Sequence, residues 1–309
     1  MHWMWVVGTD SRMLSFRQYV ALPTHPRGGF DHADVDVSSG KVFVAHTANN
    51  AIEVIDGERL THIAAIPGCE AASGVLCPLD EGFVIAAARG SGKILLIDVK
   101  TEKVVSEMHA GSKPNGLAWD TRRKHLLVAD VGDNAARILD LSSARVISTI
   151  SLPGRPRWSV YDSRLDFFLV TVREPSGVFA MSAESMWERL MPISVAGPHG
   201  LDIEREEGRA FVACDGKAVV ILDIETGEEI ATVPIAGAPD AIWYNPQRKR
   251  LYCAIGRPGV VDVIDTLEFV VDEQITTEEG AHTTAFDQAR QRLYAFLPGS
   301  CRASVYEEV

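Results

Sequence analysis

Apolar and polar residues alternate along this chain in short bursts, and the bursts repeat. "KVFVAHTANNAIEVID", "FVIAAARGSGKILLID", "LLVADVGDNAARILD", "AFVACDGKAVVILD" and "LYCAIGRPGVVDVID" each read as an apolar run, a polar or glycine-containing turn, and a second run ending in aspartate. Runs of this length bounded by turn formers predict β-strands. The closing aspartates, Asp56, Asp98, Asp140, Asp223 and Asp265, recur about every 42 residues, with one interval about twice as long. That interval holds a degenerate copy at 167–182, and a last copy occupies 293–306.

Each copy also carries an upstream strand ("NGLAWD", "HGLDIE", "DAIWYN", "HTTAFD") and a downstream one ("KVVSEMHAG", "EEIATVPIAG"). Units of ~40–50 residues with four strands are the pattern of β-propeller blades. Their first strands begin at Asp31, Ala72, Asn115, Arg157, His199, Asp240 and His282, which predicts an all-β, seven-bladed β-propeller of four-stranded antiparallel blades. The last unit has no outer strand of its own after Val309, so "LSFRQYVAL" (14–22) is expected to supply it. Segment 1–29 then completes the last blade, with 3–7 as a candidate second strand, and the chain 1–309 forms a single domain. Closing the ring in this way removes two exposed sheet edges.

Over residues 30–309 the chain resembles the YVTN-type, YncE-like seven-bladed propellers, through "FDHADVDVSSGKVFVAHT", "PHGLDIE…FVACDGKAVVILDIETGE" and "GAHTTAFDQARQRLYAF". The resemblance implies the fold, on which binding proteins, scaffolds and enzymes are all built. "KPNGLAWDTRRKHLLVADVGDN" (113–134) is also similar to the SMP-30/gluconolactonase propellers, whose metal is held by Asn, Asp and Glu. The first blade begins "FDHADVD" without that family's early metal-binding Glu, so a calcium lactonase site of that kind is not expected.

Charge narrows the partners. A net charge of -12 argues against nucleic acid and anionic membranes, both of which are bound through excess Lys and Arg. The N-terminal "MHWMWVVGTDSR" has neither a basic n-region nor a full apolar h-region, so a cytoplasmic protein is expected. The five cysteines lack paired spacing and are read as reduced thiols, with Cys214 and Cys253 buried. No serine-hydrolase elbow, nucleotide loop or haem-attachment motif is present, and neither nucleotide nor haem is expected.

In a propeller the leading residues of the inner strands share one rim with the loops joining the second and third strands. One arc of that rim is expected to gather His199, Asp240, His282, Asp31, His32 and His46. Imidazole and carboxylate groups suit a divalent transition metal (Zn, Fe, Mn or Ni), with His199, His282, His46 or His32, and Asp240 as ligands. The opposite arc carries Arg89, Arg157 and Arg173, with Asn115 and Trp158 beside them, as an expected binding surface for a small anionic substrate. Asp31 or Asp240 is the candidate general base and Arg157 the candidate for orienting substrate, in a metal-dependent hydrolysis (lactonase-like) or elimination (lyase-like). The alternative is a non-catalytic propeller that binds a small ligand or a protein on the same rim. Glu174 and Asp133 are nearby acids that can pair with rim arginines, so an internal salt-bridge network is expected for Arg173.

Overall fold

The computed structural model describes residues 14–25, 29–182 and 188–309. Seven four-stranded antiparallel sheets stand in a ring, six of them built from consecutive strands. Blade 1 spans 33–67, blade 2 72–109, blade 3 114–151, blade 4 156–192, blade 5 198–234 and blade 6 239–276. Blade 7 takes its three inner strands from 283–308 and its outermost from Leu14–Ala21, which pairs antiparallel with Arg302–Glu308. The N-terminal strand therefore closes the ring as expected; the candidate strand at 3–7 lies outside the described residues.

Packing follows from the alternation read in the sequence. The middle strands of each blade are almost wholly buried, whereas the outermost strands alternate exposed and covered positions. The buried apolar side chains form seven clusters, each shared by two neighbouring blades. Phe43 of blade 1, for example, packs with Val75 and Ala86 of blade 2. A fully buried side chain of this size contributes about 1.5–3 kcal/mol, so the ring is held by its blade-to-blade seams as well as by its ladders. Trp119, Tyr161, Tyr244 and Phe286 fill four of the seams.

The aspartates that close each repeat hold turns. Asp56, Asp223 and Asp265 each accept backbone N–H groups two or three residues on, at 2.7–2.9 Å. A short carboxylate fixing a tight turn is a structural use of the residue. All five thiols are free. Among the described residues no helix is long and apolar enough to cross a membrane.

One irregularity positions the site. In blades 3 to 6 the inner strand shifts register against its partner immediately after its first proline, at Pro114/Leu117, Pro156/Ser159, Pro198/Leu201 and Pro239/Ile242. Two residues there oppose one, which is a β-bulge, and a bulge turns side chains out of the regular pleat. The displaced pairs are Asn115–Gly116, Arg157–Trp158, His199–Gly200 and Asp240–Ala241. In blade 2 the shift lies between Ala72 and Val75, so its leading position is Ser73 rather than the expected Ala72.

Candidate functional site at the channel mouth

The bulged leading residues converge on the channel mouth. The Asp240 carboxylate lies between two imidazoles, Oδ1 3.0 Å from His199 Nε2 and Oδ2 2.7 Å from His282 Nδ1. Both contacts are close but neither meets hydrogen-bond geometry, so they are ion-pair contacts first. His199 Nδ1 lies 3.3 Å from Asp215 Oδ1. Gly197, at φ 71°, lets the loop before His199 run against that acid: an added Cβ would come within 2.9 Å of the Asp215 Cβ.

Arg157 completes the cluster by donating its Nε–H to His199 Nε2 at 2.9 Å, with a second guanidinium nitrogen in contact. His199 Nε2 thus faces a guanidinium and a carboxylate together and can satisfy one at a time. A neutral ring protonated on Nδ1 accepts from Arg157; an imidazolium donates to Asp240. Burial opposes a charge on His199, but Asp240 and Asp215 outweigh it and raise its pKa. Burial likewise opposes protonation of His282, and Asp240 prevails there too. Asp240, whose burial favours the neutral acid, is held well below the usual carboxylate range by the two histidines.

The remaining charges are paired within the protein. Arg89 contacts Asp31 and donates to Asn115 Oδ1 at 2.7 Å. Arg173 lies in an internal ion pair, as expected, but its partner is Asp215, one blade away, and neither Glu174 nor Asp133. Asp133 pairs with Arg137. The expected three-arginine clamp is therefore already occupied by internal partners, except that Arg157 forms no ion pair among the described residues.

The next layer down closes the channel. The positions following the leading residues are His32, Gly74, Gly116, Trp158, Gly200, Ala241 and Thr283. Five are small, and across the space they leave the rings of His32 and Trp158 stack at 4.0 Å with a 19° tilt. Glycine is required at some of these positions: a Cβ on Gly116 or Gly200 would lie 2.4 or 2.2 Å from the carbonyl oxygen of Arg157 or Asp240 on the next blade. His32, expected as a metal ligand, instead has its pKa pushed down to about 4, chiefly by burial. Trp158, expected in the substrate-binding surface, stacks on His32.

His46, the other expected ligand, sits inside blade 1. Its Nδ1 lies 2.9 Å from Glu53 Oε1, and His62 Nε2 lies 2.9 Å from Glu53 Oε2. His46 ends a strand whose last residues point into the blade, and counting along the loop could not show that. Among the described residues no three His, Cys, Asp or Glu side chains are placed to hold a metal ion. In the mouth cluster the Arg157 cation stands against the nitrogen of His199 that a metal would need, so the residues as arranged do not fit a divalent ion.

No protein-family model matches the chain, and no curated protein does. Among solved structures the chain is similar to Hydrazine Synthase of Kuenenia stuttgartiensis, at 14% identity over 98% of each chain with a TM-score of 0.81. At that identity the likeness shows the propeller fold alone. It does not show membership of the YVTN-type or SMP-30/gluconolactonase families.

Proposed function

We propose that the channel mouth is a catalytic site that acts on a small anionic substrate by acid–base chemistry, in a hydrolysis such as lactone opening or in an elimination. The observation that carries this reading is the Asp240–His282 pair. The His282 side chain is 38% exposed, while its Nδ1 is buried against a carboxylate held ionised. An imidazole oriented at one nitrogen by a buried acid, with the other edge of the ring open to the mouth, is suited to moving protons at bound substrate. In hydrolysis His282 would take a proton from the attacking water. In elimination it would take one from the carbon next to the substrate carboxylate, the C–H electron pair forming the double bond as a β-hydroxyl leaves as water with the proton His282 returns. Arg157, lacking a carboxylate partner, would face the substrate anion or the charge developing on it.

Two other readings share the residues. A metal-assisted version would use His199, His282 and Asp240 as ligands and would require Arg157 to leave His199. A binding propeller without catalysis is favoured by the internal pairing of Arg89 and Arg173. Screening untagged protein against lactones and small hydroxy acids, beside a His282→Ala variant and with metal content measured, separates the three. Turnover lost in the variant and indifferent to chelator supports acid–base catalysis. Near-stoichiometric Zn, Fe, Mn or Ni that disappears in a His199→Ala/His282→Ala variant would replace it with the metal reading. Saturable binding without turnover would leave the binding propeller.

A further inference from the structure

Below the His32–Trp158 stack the channel opens again into a cavity of about 240 Å³. None of the leading residues of the mouth lines it, so it is a separate compartment at the other end of the same channel. Its walls include Trp119, Trp158, Tyr161 and Trp243, with the carboxyl groups of Asp34 and Asp202 among them. Both acids belong to the layer three residues below the mouth.

These acids lack the partners that the mouth acids have. Asp34 Oδ2 accepts the Cys77 backbone N–H of the next blade at 2.7 Å, and Asp202 Oδ2 accepts that of Tyr244 at 2.7 Å. Each also accepts from the residue that follows it. Among the described residues neither forms an ion pair. Burial raises both pKa values, that of Asp34 to about 7. Ser159, 3% exposed and lining the same cavity, has a hydroxyl with no partner among the described residues.

At the entrance Leu79 is 62% exposed, which gives an apolar lip. Arg205, which also lines the cavity, is turned to the Tyr161 carbonyl at 3.2 Å. Arg205 is the one guanidinium among the lining residues, against two carboxyls that a cation bound beside them would draw to their ionised form.

We infer that this compartment is a binding site for a small organic ammonium ion with an aromatic or apolar body. Aromatic faces attract a cation through their quadrupole, most strongly where water is excluded, and a neighbouring carboxylate adds direct charge pairing. A cavity below the usual ~300–1,000 Å³ of drug-sized pockets limits the occupant to a small molecule. The inference is independent of the reading given to the mouth.

The test titrates the full chain with benzyltrimethylammonium, following tryptophan fluorescence and heat, with phenylacetate as the anionic counterpart. One equivalent of cation is expected to bind, with no binding of phenylacetate. Trp243→Ala and Asp34→Asn/Asp202→Asn are expected to weaken cation binding by about tenfold or more. Since those carboxyls also hold backbone N–H groups, Val160→Phe supplies a variant that fills the cavity without touching them. It is expected to abolish binding with circular dichroism unchanged, while His282→Ala leaves binding intact. No saturable binding of the cation up to about 10 mM would overturn the inference. So would equal binding of phenylacetate, or an affinity indifferent to Val160→Phe.

Discussion

Two constellations in this molecule use the same chemical parts, a carboxylate between two imidazoles. In blade 1 Glu53 joins His46 and His62 through side chains of one sheet, and both Glu53 and His46 are fully buried. At the channel mouth Asp240 joins His199 and His282, each contributed by a different blade, and His282 is open to solvent. Burial opposes ionisation of Glu53, but hydrogen bonds from both histidines hold its pKa at about 2. The chemistry of the pairing is thus the same in both places. What differs is the degree and place of access: His62 is 23% exposed on the outermost strand of blade 1, whereas His282 is 38% exposed at the channel mouth, where a substrate can meet it.

The sharpest way to break the comparison is to remove the terminal histidine of each trio. On the acid–base reading His282→Ala lowers kcat of a responsive substrate by about 10²- to 10⁴-fold with the fold retained, whereas His62→Ala leaves turnover intact. Equal losses in the two variants would remove the distinction. Removing the central acids should reverse the order for stability. Glu53→Ala costs about 3–5 kcal/mol, because it strips a buried network of its charge. Asp240→Asn costs about 1.5–3 kcal/mol, with denaturant unfolding as the measurement for both.

A smaller effect is expected in the pH dependence of stability. His199 and His282 have raised pKa values, so their stabilisation is complete below about pH 6.5 and is lost as pH rises through their folded-state values. Glu53 and Asp240 are depressed, so theirs is present above the ordinary carboxylate range and lost as pH falls through their folded-state values. Unfolding free energy measured from pH 6 to 9 should therefore decline in the wild type, and less steeply in His199→Ala/His282→Ala. A wild-type slope that survives in the double variant would assign the decline elsewhere. Smallest of all, Arg257→Ala removes an exposed pair with Glu279 and should leave both stability and turnover unaltered, giving a baseline for substitutions on this face.

The architecture was legible because every blade repeats one apolar pattern, and five of the seven close it with an aspartate that holds a turn. The mouth was legible in part, since His199, Asp240 and His282 occupy equivalent positions of consecutive blades. Arg157–His199 and Arg173–Asp215 lie 42 residues apart, so neighbouring-blade partners do leave a signal at one repeat length. An internal partner for Arg173 was therefore legible, but the acids at hand in sequence, Glu174 and Asp133, were not the one it meets. The direction of a side chain leaves none: His46 closes an inward-facing strand end, and His32 reaches across the channel to Trp158. Both depend on the pleat and on bulges, which the apolar pattern does not record. Glu53, a charge within the apolar run "AIEVID", was the available hint that blade 1 holds a buried partner for His46.

The seam between Leu14–Ala21 and Arg302–Glu308 has a consequence in time. Strands within a blade can pair as soon as some forty residues have emerged from the ribosome, but this seam joins the first described strand to the last. Contacts so distant in sequence form late and slowly. Until they do, an early-made strand must wait without its partner, and two sheet edges remain available to other chains. For this ring the period of greatest vulnerability to aggregation belongs to its synthesis, and a chaperone that shields residues 14–21 until translation ends would act before the closing seam can form.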